Sequence, residues 1–500
     1  MNQIKTGAIL SYFNIFLTVL VGLVLTPFII RSLGKEEYGL YTLIGSFVGY
    51  ISIMDLGLNN TTIRYVAKYR ATNDKKGQEN FLATIYIIYG FISLLVIIIG
   101  ACLYFNLPSI FPKLSIEEMH KAKMMFLILI FNLALALPGG NFLAVCSGCE
   151  KFIYTQSIMI IKYILRTLLV FTLLRKGGGA ITLVVIDTIM NLLVILVNMF
   201  YVFRKLNITS KLHTFNKSLL IDVFSYSIWI FIYMLVYKFQ WNAGQIVLGM
   251  TSNVVTVGIF GVGVLLGGYY STFAGVFNNL LVPKAVQMMV ENKNGLQITE
   301  NMIKIGRISF FVLGFVLSGF ILWGRSFVRL WVGDVYHTSW VVALLSMIAM
   351  TLPLIEGFGN SILEAKKKNR FKSLLSLTTM SVAVITGFFL SKTHGIYGMI
   401  FPLIIALVIN SFIMNFYYRK IFGFKIGLFF KKTLLKPVIV YFTLAVAFIP
   451  LINYYTINHW TDLLIQVLLF AIFYCVITYY FIMDKTEREL IKIKKSLFTV

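Results

Sequence analysis

The feature that most constrains this chain is a succession of apolar segments, each close to the roughly 20 residues that cross a bilayer as a helix. They run from residue 8 to residue 483, and no polar stretch between them is long enough to form a soluble domain. Their bounds fall near 8–30, 38–60, 81–103, 124–145, 153–174, 180–203, 223–248, 254–282, 303–323, 339–362, 373–391, 395–418, 434–452 and 461–483. Such a chain cannot gather its apolar surface around one aqueous core. It must bury that surface in lipid, where a helix satisfies its backbone polar groups internally. With 59% hydrophobic and 13% charged residues, the composition agrees. The expected fold class is all-α, a polytopic membrane protein of about 14 transmembrane helices.

The formal net charge of +25 would suggest nucleic acid if it were spread over a soluble surface. Placed on the spans it reads differently. With the N-terminus inside, Lys and Arg are about threefold more frequent at the cytoplasmic ends and loops than outside, which is the positive-inside pattern. Both termini are therefore expected in the cytoplasm, and no nucleic-acid partner is expected. The richest inner loops, Lys366-Lys367-Lys368-Asn369-Arg370 and the Arg419 to Lys436 connection, also suit anionic headgroups of membrane lipids. The first apolar segment is too long for a cleaved leader and has no small-residue cleavage site after it, so span 1 is expected to stay. Cys146 and Cys149 form a C-x-x-C without a second pair or a nearby histidine, so neither a metal site nor a cofactor is expected.

Sliding the chain along itself by 219 residues reveals an internal repeat. Tyr38-Gly39-Leu40-Tyr41 meets Val257-Gly258-Ile259-Phe260, and Asn59-Asn60 meets Asn278-Asn279. Gly140-Asn141 meets Gly359-Asn360, and Lys151-Phe152 meets Arg370-Phe371. The unit carries six spans, an even number, so both copies enter the membrane in the same direction and form a parallel repeat about the membrane normal. The expected organisation is two six-helix bundles, 1–210 and 211–425, followed by 426–500, a C-terminal helix pair with a basic tail. Pro27, Pro138, Pro283, Pro353 and Pro402 lie within or at the ends of spans, where proline permits a bend.

Charges at membrane depth carry the functional information, because each costs roughly 2.5–3.5 kcal/mol at a helix centre. Lys162 and Arg166 lie four apart, hence on one face of span 5, and Lys238 lies midway along span 7. Arg31 ends span 1, and Arg64 follows span 2. The acids are Asp55, Asp187 and Glu356. Cations converging on one cavity would hold a phosphate or pyrophosphate through charge-assisted hydrogen bonds. The competing reading is internal pairing, such as Arg166 with Asp187, and snorkelling of Arg31 and Arg64 to the interfaces. Asp55 and Glu356 suit either a coupling cation, H+ or Na+, or the joining of helices.

Thr26-Pro27-Phe28, Arg31-Ser32-Leu33-Gly34, Glu37-Tyr38-Gly39-Leu40-Tyr41, Asp55-Leu56-Gly57-Leu58 and Arg64-Tyr65-Val66-Ala67 carry a resemblance. This stretch, residues 7–70, resembles the polysaccharide (Wzx-type) flippases of the multidrug/oligosaccharidyl-lipid/polysaccharide exporter superfamily. The rest of the chain is similar to that family through its topology. The resemblance implies a bacterial inner-membrane transporter with a cationic lumen. Its function would be to flip an undecaprenyl-pyrophosphate-linked oligosaccharide repeat unit by alternating access for assembly of O-antigen in lipopolysaccharide, capsule or exopolysaccharide. It also implies contact with polysaccharide polymerase machinery.

A cation-coupled multidrug antiporter of the same superfamily is the alternative, and the sign of the lumen separates the two, since a cation site calls for acids and aromatic rings. A membrane glycosyltransferase or polymerase would need catalytic groups on a sizeable external loop. The longest external connection, Tyr104 to Lys123, offers only Glu117 and Glu118 as acids. No G-x-x-x-x-G-K-[ST] occurs, so the chain is not expected to be an enzyme that hydrolyses ATP.

Overall fold

The computed structural model describes residues 3–214, 217–279, 294–366, 368–455, 457–485 and 487–489. Pro283 and Lys367 lie outside the described residues. The described residues are predominantly helical, with no strand among them. In chain order the helices are α1 (Gln3–Ile51), α2 (Leu58–Ala71), α3 (Lys75–Ile110), α4 (Ile116–Gly148), α5 (Phe152–Arg175) and α6 (Ala180–Phe200). They continue with α7 (Lys217–Thr251), α8 (Val254–Asn279), α9 (Gly295–Val332), α10 (Ser339–Ile355) and α11 (Gly357–Ala365). Last come α12 (Asn369–Phe422), α13 (Ile426–Phe430), α14 (Lys436–Tyr454) and α15 (Trp460–Ile477).

Ten helical stretches among the described residues are long and apolar enough to cross a membrane, and α10 with α11, bent by 50°, makes an eleventh. Two of these helices hold two expected spans each. α1 breaks at Gly34 (φ 78°) and α12 at Gly395 (φ 54°), backbone conformations that a side chain would strain. Around Gly395 the chain doubles back, because a Cβ on Gly398 would fall 2.2 Å from the Leu390 carbonyl oxygen. The expected span 223–248 lies within α7. Large apolar side chains such as Phe13, Phe91, Leu168 and Phe412 are exposed, the inside-out pattern of helices solvated by lipid. This is a multi-pass membrane protein.

Helices run past the spans where local chemistry allows. The external connection expected over Tyr104 to Lys123 is mostly helix, leaving only residues 111–115 between α3 and α4. Ser115 and Glu118 form a capping box that starts α4 early, satisfying two of its orphan donors. Hydropathy marks the membrane-buried part of a helix, not its capped end.

The chain packs as two compact units, one of residues 1–261 with 373–403 and the other of 262–372 with 404–500. In the first unit α1 lies against α4, α5 and α7, and α4 lies against α2, α3 and α6. One end of this unit is tied by Glu37 just beyond the Gly34 break, which accepts from Lys121 Nζ at 2.7 Å and from the Ala180 N–H at 2.9 Å. Positions related by the 219-residue offset meet here. A Cβ on Gly258 would fall 3.2 Å from Gly39 Cα, and one on Gly261 would fall 3.4 Å from Thr42 Cγ2.

In the second unit α9 is the organiser, packed on α10, α14 and α15. Its buried Arg307 donates to both Glu487 carboxylate oxygens at 2.6 and 2.9 Å, and to the carbonyls of Lys432 and Ile482 at 2.9 and 2.8 Å. Trp323 Nε1 donates to Gln466 Oε1 at 2.8 Å, and Tyr474 Oη donates to the Phe311 carbonyl at 2.8 Å. The C-terminal helix pair is thus fastened to α9 by polar groups satisfied within the protein, as a low-dielectric setting demands.

Candidate functional site

Four helices of the first unit line an open cavity of about 540 Å³. Each presents polar side chains about midway along its apolar span, and three do so as i, i+4 pairs on one face. α1 gives Asn14 and Thr18, α5 gives Lys162 and Arg166, and α6 gives Asp187 and Asn191. α4 adds Asn132, and Tyr163 places an aromatic ring in the wall. Polar groups so deep in lipid-embedded helices are costly unless they meet one another, and here they do.

Arg166 engages Asp187 through both arms of its fork, the second at 3.1 Å from Nη2 to Oδ2, and Tyr41 Oη donates to the same carboxylate at 3.4 Å. Lys162 Nζ donates to Asn191 Oδ1 at 2.5 Å, and Asn191 Nδ2 donates on to Asn132 Oδ1 at 3.1 Å. Asn14 Nδ2 donates to Gln156 Oε1 at 3.3 Å, bracing α1 on α5. Asp187 balances Arg166, so the three ionic side chains sum to a single positive charge, centred on Lys162. The pair is partly exposed, at 19% for the Arg166 side chain and 26% for that of Asp187, so both reach the cavity.

The other sequence candidates lie apart from this lining. Lys238 is half-buried on α7, where Tyr50 Oη donates to its carbonyl at 3.1 Å and its ammonium lies over Gly49 of α1. Among the described residues no carboxylate is in salt-bridge range of Lys162 or Lys238. Arg31 and Arg64 are exposed and are not among the residues that line the cavity, and each has an interaction of its own. Asp55 and Glu356 share a setting, since each sits at a helix break. Asp55 closes the 3-10 turn after α1, just before the left-handed Leu56 and Gly57, and its Oδ1 accepts from Tyr89 Oη and Asn59 Nδ2, both at 2.8 Å. Glu356 occupies the bend between α10 and α11, is 2% exposed, and accepts from Asn415 Nδ2 at 2.8 Å and Ser411 Oγ at 3.3 Å. Among the described residues no group of three His, Cys, Asp or Glu side chains gathers as metal ligands would.

Sequence reasoning missed the amides. Asn191 follows Asp187 by four residues and Asn14 precedes Thr18 by four, so each pair marks a polar helix face legible in the sequence. Asparagine barely dents a hydropathy profile, whereas Lys and Arg interrupt it.

The fold is shared with solved transporters. The chain superposes on the lipid II flippase MurJ in its inward closed conformation with a TM-score of 0.69 at 15% identity, covering 95% of this chain and 98% of that one. It also matches an inward-facing multidrug resistance MATE family transporter of the MOP superfamily, with a TM-score of 0.61 at 14% identity over 86% of this chain and 100% of that one. The fold is therefore that of the polytopic MOP-superfamily transporters. The profile of one sequence family, polysaccharide biosynthesis protein, matches residues 4–289, and the chain belongs to that family. Among its relatives, the uncharacterized membrane protein EpsK of Bacillus subtilis (strain 168) is 23% identical over 496 residues, 95% of this chain and 94% of that protein. A putative O-antigen transporter of Shigella flexneri is 28% identical over 149 residues, 28% of this chain and 34% of that protein.

Proposed function

We propose that this chain is a flippase for a lipid-linked saccharide, carrying an undecaprenyl-pyrophosphate-linked oligosaccharide repeat unit across the bacterial inner membrane by alternating access. The product would serve a surface polysaccharide such as O-antigen, capsule or exopolysaccharide. The observation that carries this reading is the chemistry of the membrane-depth cavity. Its amides and the Asp187 carboxylate suit sugar hydroxyls, Tyr163 offers a ring face, and the one net positive charge at Lys162 suits an anionic headgroup. A drug antiporter would call for the opposite sign. The family membership, the O-antigen transporter relative and the flippase fold all support the same substrate class.

In this reading the headgroup passes through the protein while the polyprenyl tail stays in lipid. The chain acts as a carrier, not as an enzyme, with both termini cytoplasmic and residues 1–210 and 211–425 as its two rocking bundles. Lys162 takes the anionic group, and Arg166 is held by Asp187 until a ligand phosphate competes for its fork. Lys238, Arg31 and Arg64 serve at other stages of transit. Energy comes from H+ or Na+ at Glu356, a buried carboxylate at a broken span whose hydrogen-bond partners among the described residues are the neutral donors Ser411 and Asn415. That carboxylate is also what favours the second reading, a cation-coupled antiporter.

The test is Lys162→Gln in cells, with surface polysaccharide and lipid-linked intermediates measured together. The reading expects loss of surface polymer and accumulation of the lipid-linked unit at unchanged protein level. Normal export by this variant would remove the proposed role of the cavity.

A further inference from the structure

A second cavity of about 670 Å³ lies in the first unit, away from the membrane-depth site and independent of the flippase reading. Three connections wall it: that between α2 and α3, that between α4 and α5, and the segment after α6. Each wall turns through a non-glycine residue in the left-handed conformation, Asn73 (φ 54°), Glu150 (φ 58°) and Asn207 (φ 50°). Such turns persist only where surrounding contacts hold them.

Those contacts are present. Asp74 caps α3 by accepting from the Gly77 N–H at 2.8 Å. The segment after α6 is strapped onto α3, with Asn80 Oδ1 accepting from the His213 and Thr214 N–H groups, both at 2.9 Å. Glu79 accepts from Thr209 Oγ1 at 2.6 Å and lies 2.8 Å from His213 Nε2. These bonds, with Lys211 and His213 beside it, hold its carboxyl below the usual range.

The strap uses up one of the two acids that line the cup, Glu79, and leaves Glu150. Against it stand four cations contributed by all three walls: Arg70, Lys75, Lys151 and Lys205. Among the described residues none of the four is in an ion pair. A walled concavity with an excess of unneutralised cations, one of them a planar guanidinium, matches a multiply charged oxyanion. We infer that this cup is a binding site for a phosphate group, borne by a lipid headgroup or by a soluble phosphate.

The test uses the full chain in phosphatidylcholine nanodiscs, with the thermal midpoint followed against inorganic phosphate at constant ionic strength set by chloride. A soluble ligand predicts a rise in midpoint for the wild type and about tenfold or greater weakening of the response in Arg70→Gln/Lys151→Gln. A headgroup ligand predicts no response to phosphate, but a rise when phosphatidylglycerol is mixed into the disc, again lost in the double variant. Lys113→Gln/Lys176→Gln removes two exposed charges elsewhere and should behave as wild type. Circular dichroism checks folding, and Lys205→Gln replaces the double variant if that variant does not fold. Equal responses of wild type and the cup variant to both probes, or equal losses in the control variant, would overturn the inference.

Discussion

A single methyl group added at Gly39 should do marked harm. A Cβ there would fall 1.9 Å from the Val254 carbonyl oxygen, where ordinary contact begins at 3.4 Å, so α1 and the start of α8 must part by about 1.5 Å. The obstacle is backbone, which cannot rotate out of the way. Overpacking of this kind costs about 1–3 kcal/mol, offset by the roughly 0.5–1 kcal/mol that alanine contributes over glycine in a helix. At Gly258 the added Cβ would stop 3.2 Å from Gly39 Cα, so only a few tenths of an ångström must be found. At Gly45, within the same helix as Gly39, nothing lies within 4 Å. The expected order of stability is Gly39→Ala lowest, then Gly258→Ala, with Gly45→Ala at or above wild type. Thermal midpoints of the detergent-solubilised proteins, read by fluorescence size-exclusion chromatography, check it. A Gly39→Ala variant as stable as Gly45→Ala would refute the close crossing of α1 and α8.

Three further outcomes follow from the polar contacts. Asp187→Asn strands the Arg166 charge and should lower stability by about 1–3 kcal/mol, discounted because the pair is partly hydrated, while Arg166→Gln/Asp187→Asn should recover part of that loss; strict additivity of thermal midpoints would argue against the pair. Arg307→Gln leaves a buried Glu487 carboxylate without its partner, so limited proteolysis should release the C-terminal helix pair far faster than in wild type, and unchanged cleavage would count against the clamp. Burial would raise the Glu37 carboxyl, but Lys121 and the Ala180 N–H outweigh it and hold it below its usual value. A depressed carboxyl contributes stability above its unfolded pKa and loses it as pH falls through its folded one. Thermal midpoints of wild type and Glu37→Gln should therefore differ at neutral pH and converge in acid, once the pH has fallen below the ordinary glutamate range.

The spans were legible because hydropathy over about twenty residues reports the one property that lipid selects. Their caps and overhangs were less so, since the early start of α4 depends on Ser115 and Glu118 exchanging hydrogen bonds. Lys162 and Arg166 were found as charges on one helical face, and the Arg166–Asp187 contact was one of two readings that spacing left open. What sequence could not supply was the partner of each polar face. Nothing local says that Asn14 meets Gln156, or that Arg307 meets Glu487 across 180 positions. Such pairings are decided by how helices pack, and small residues such as Gly39 and Gly258 set that packing without any hydropathy signal of their own.

The most direct measurement is headgroup translocation by the purified protein in proteoliposomes. An undecaprenyl-pyrophosphate-linked oligosaccharide on the inner leaflet would be scored by its appearance to an external lectin. The account predicts transfer by the wild type, abolished in Lys162→Gln, with no transport of an organic cation such as ethidium under the same gradient. Ethidium transport without lectin-accessible saccharide, or saccharide transfer at full rate by Lys162→Gln, would contradict it.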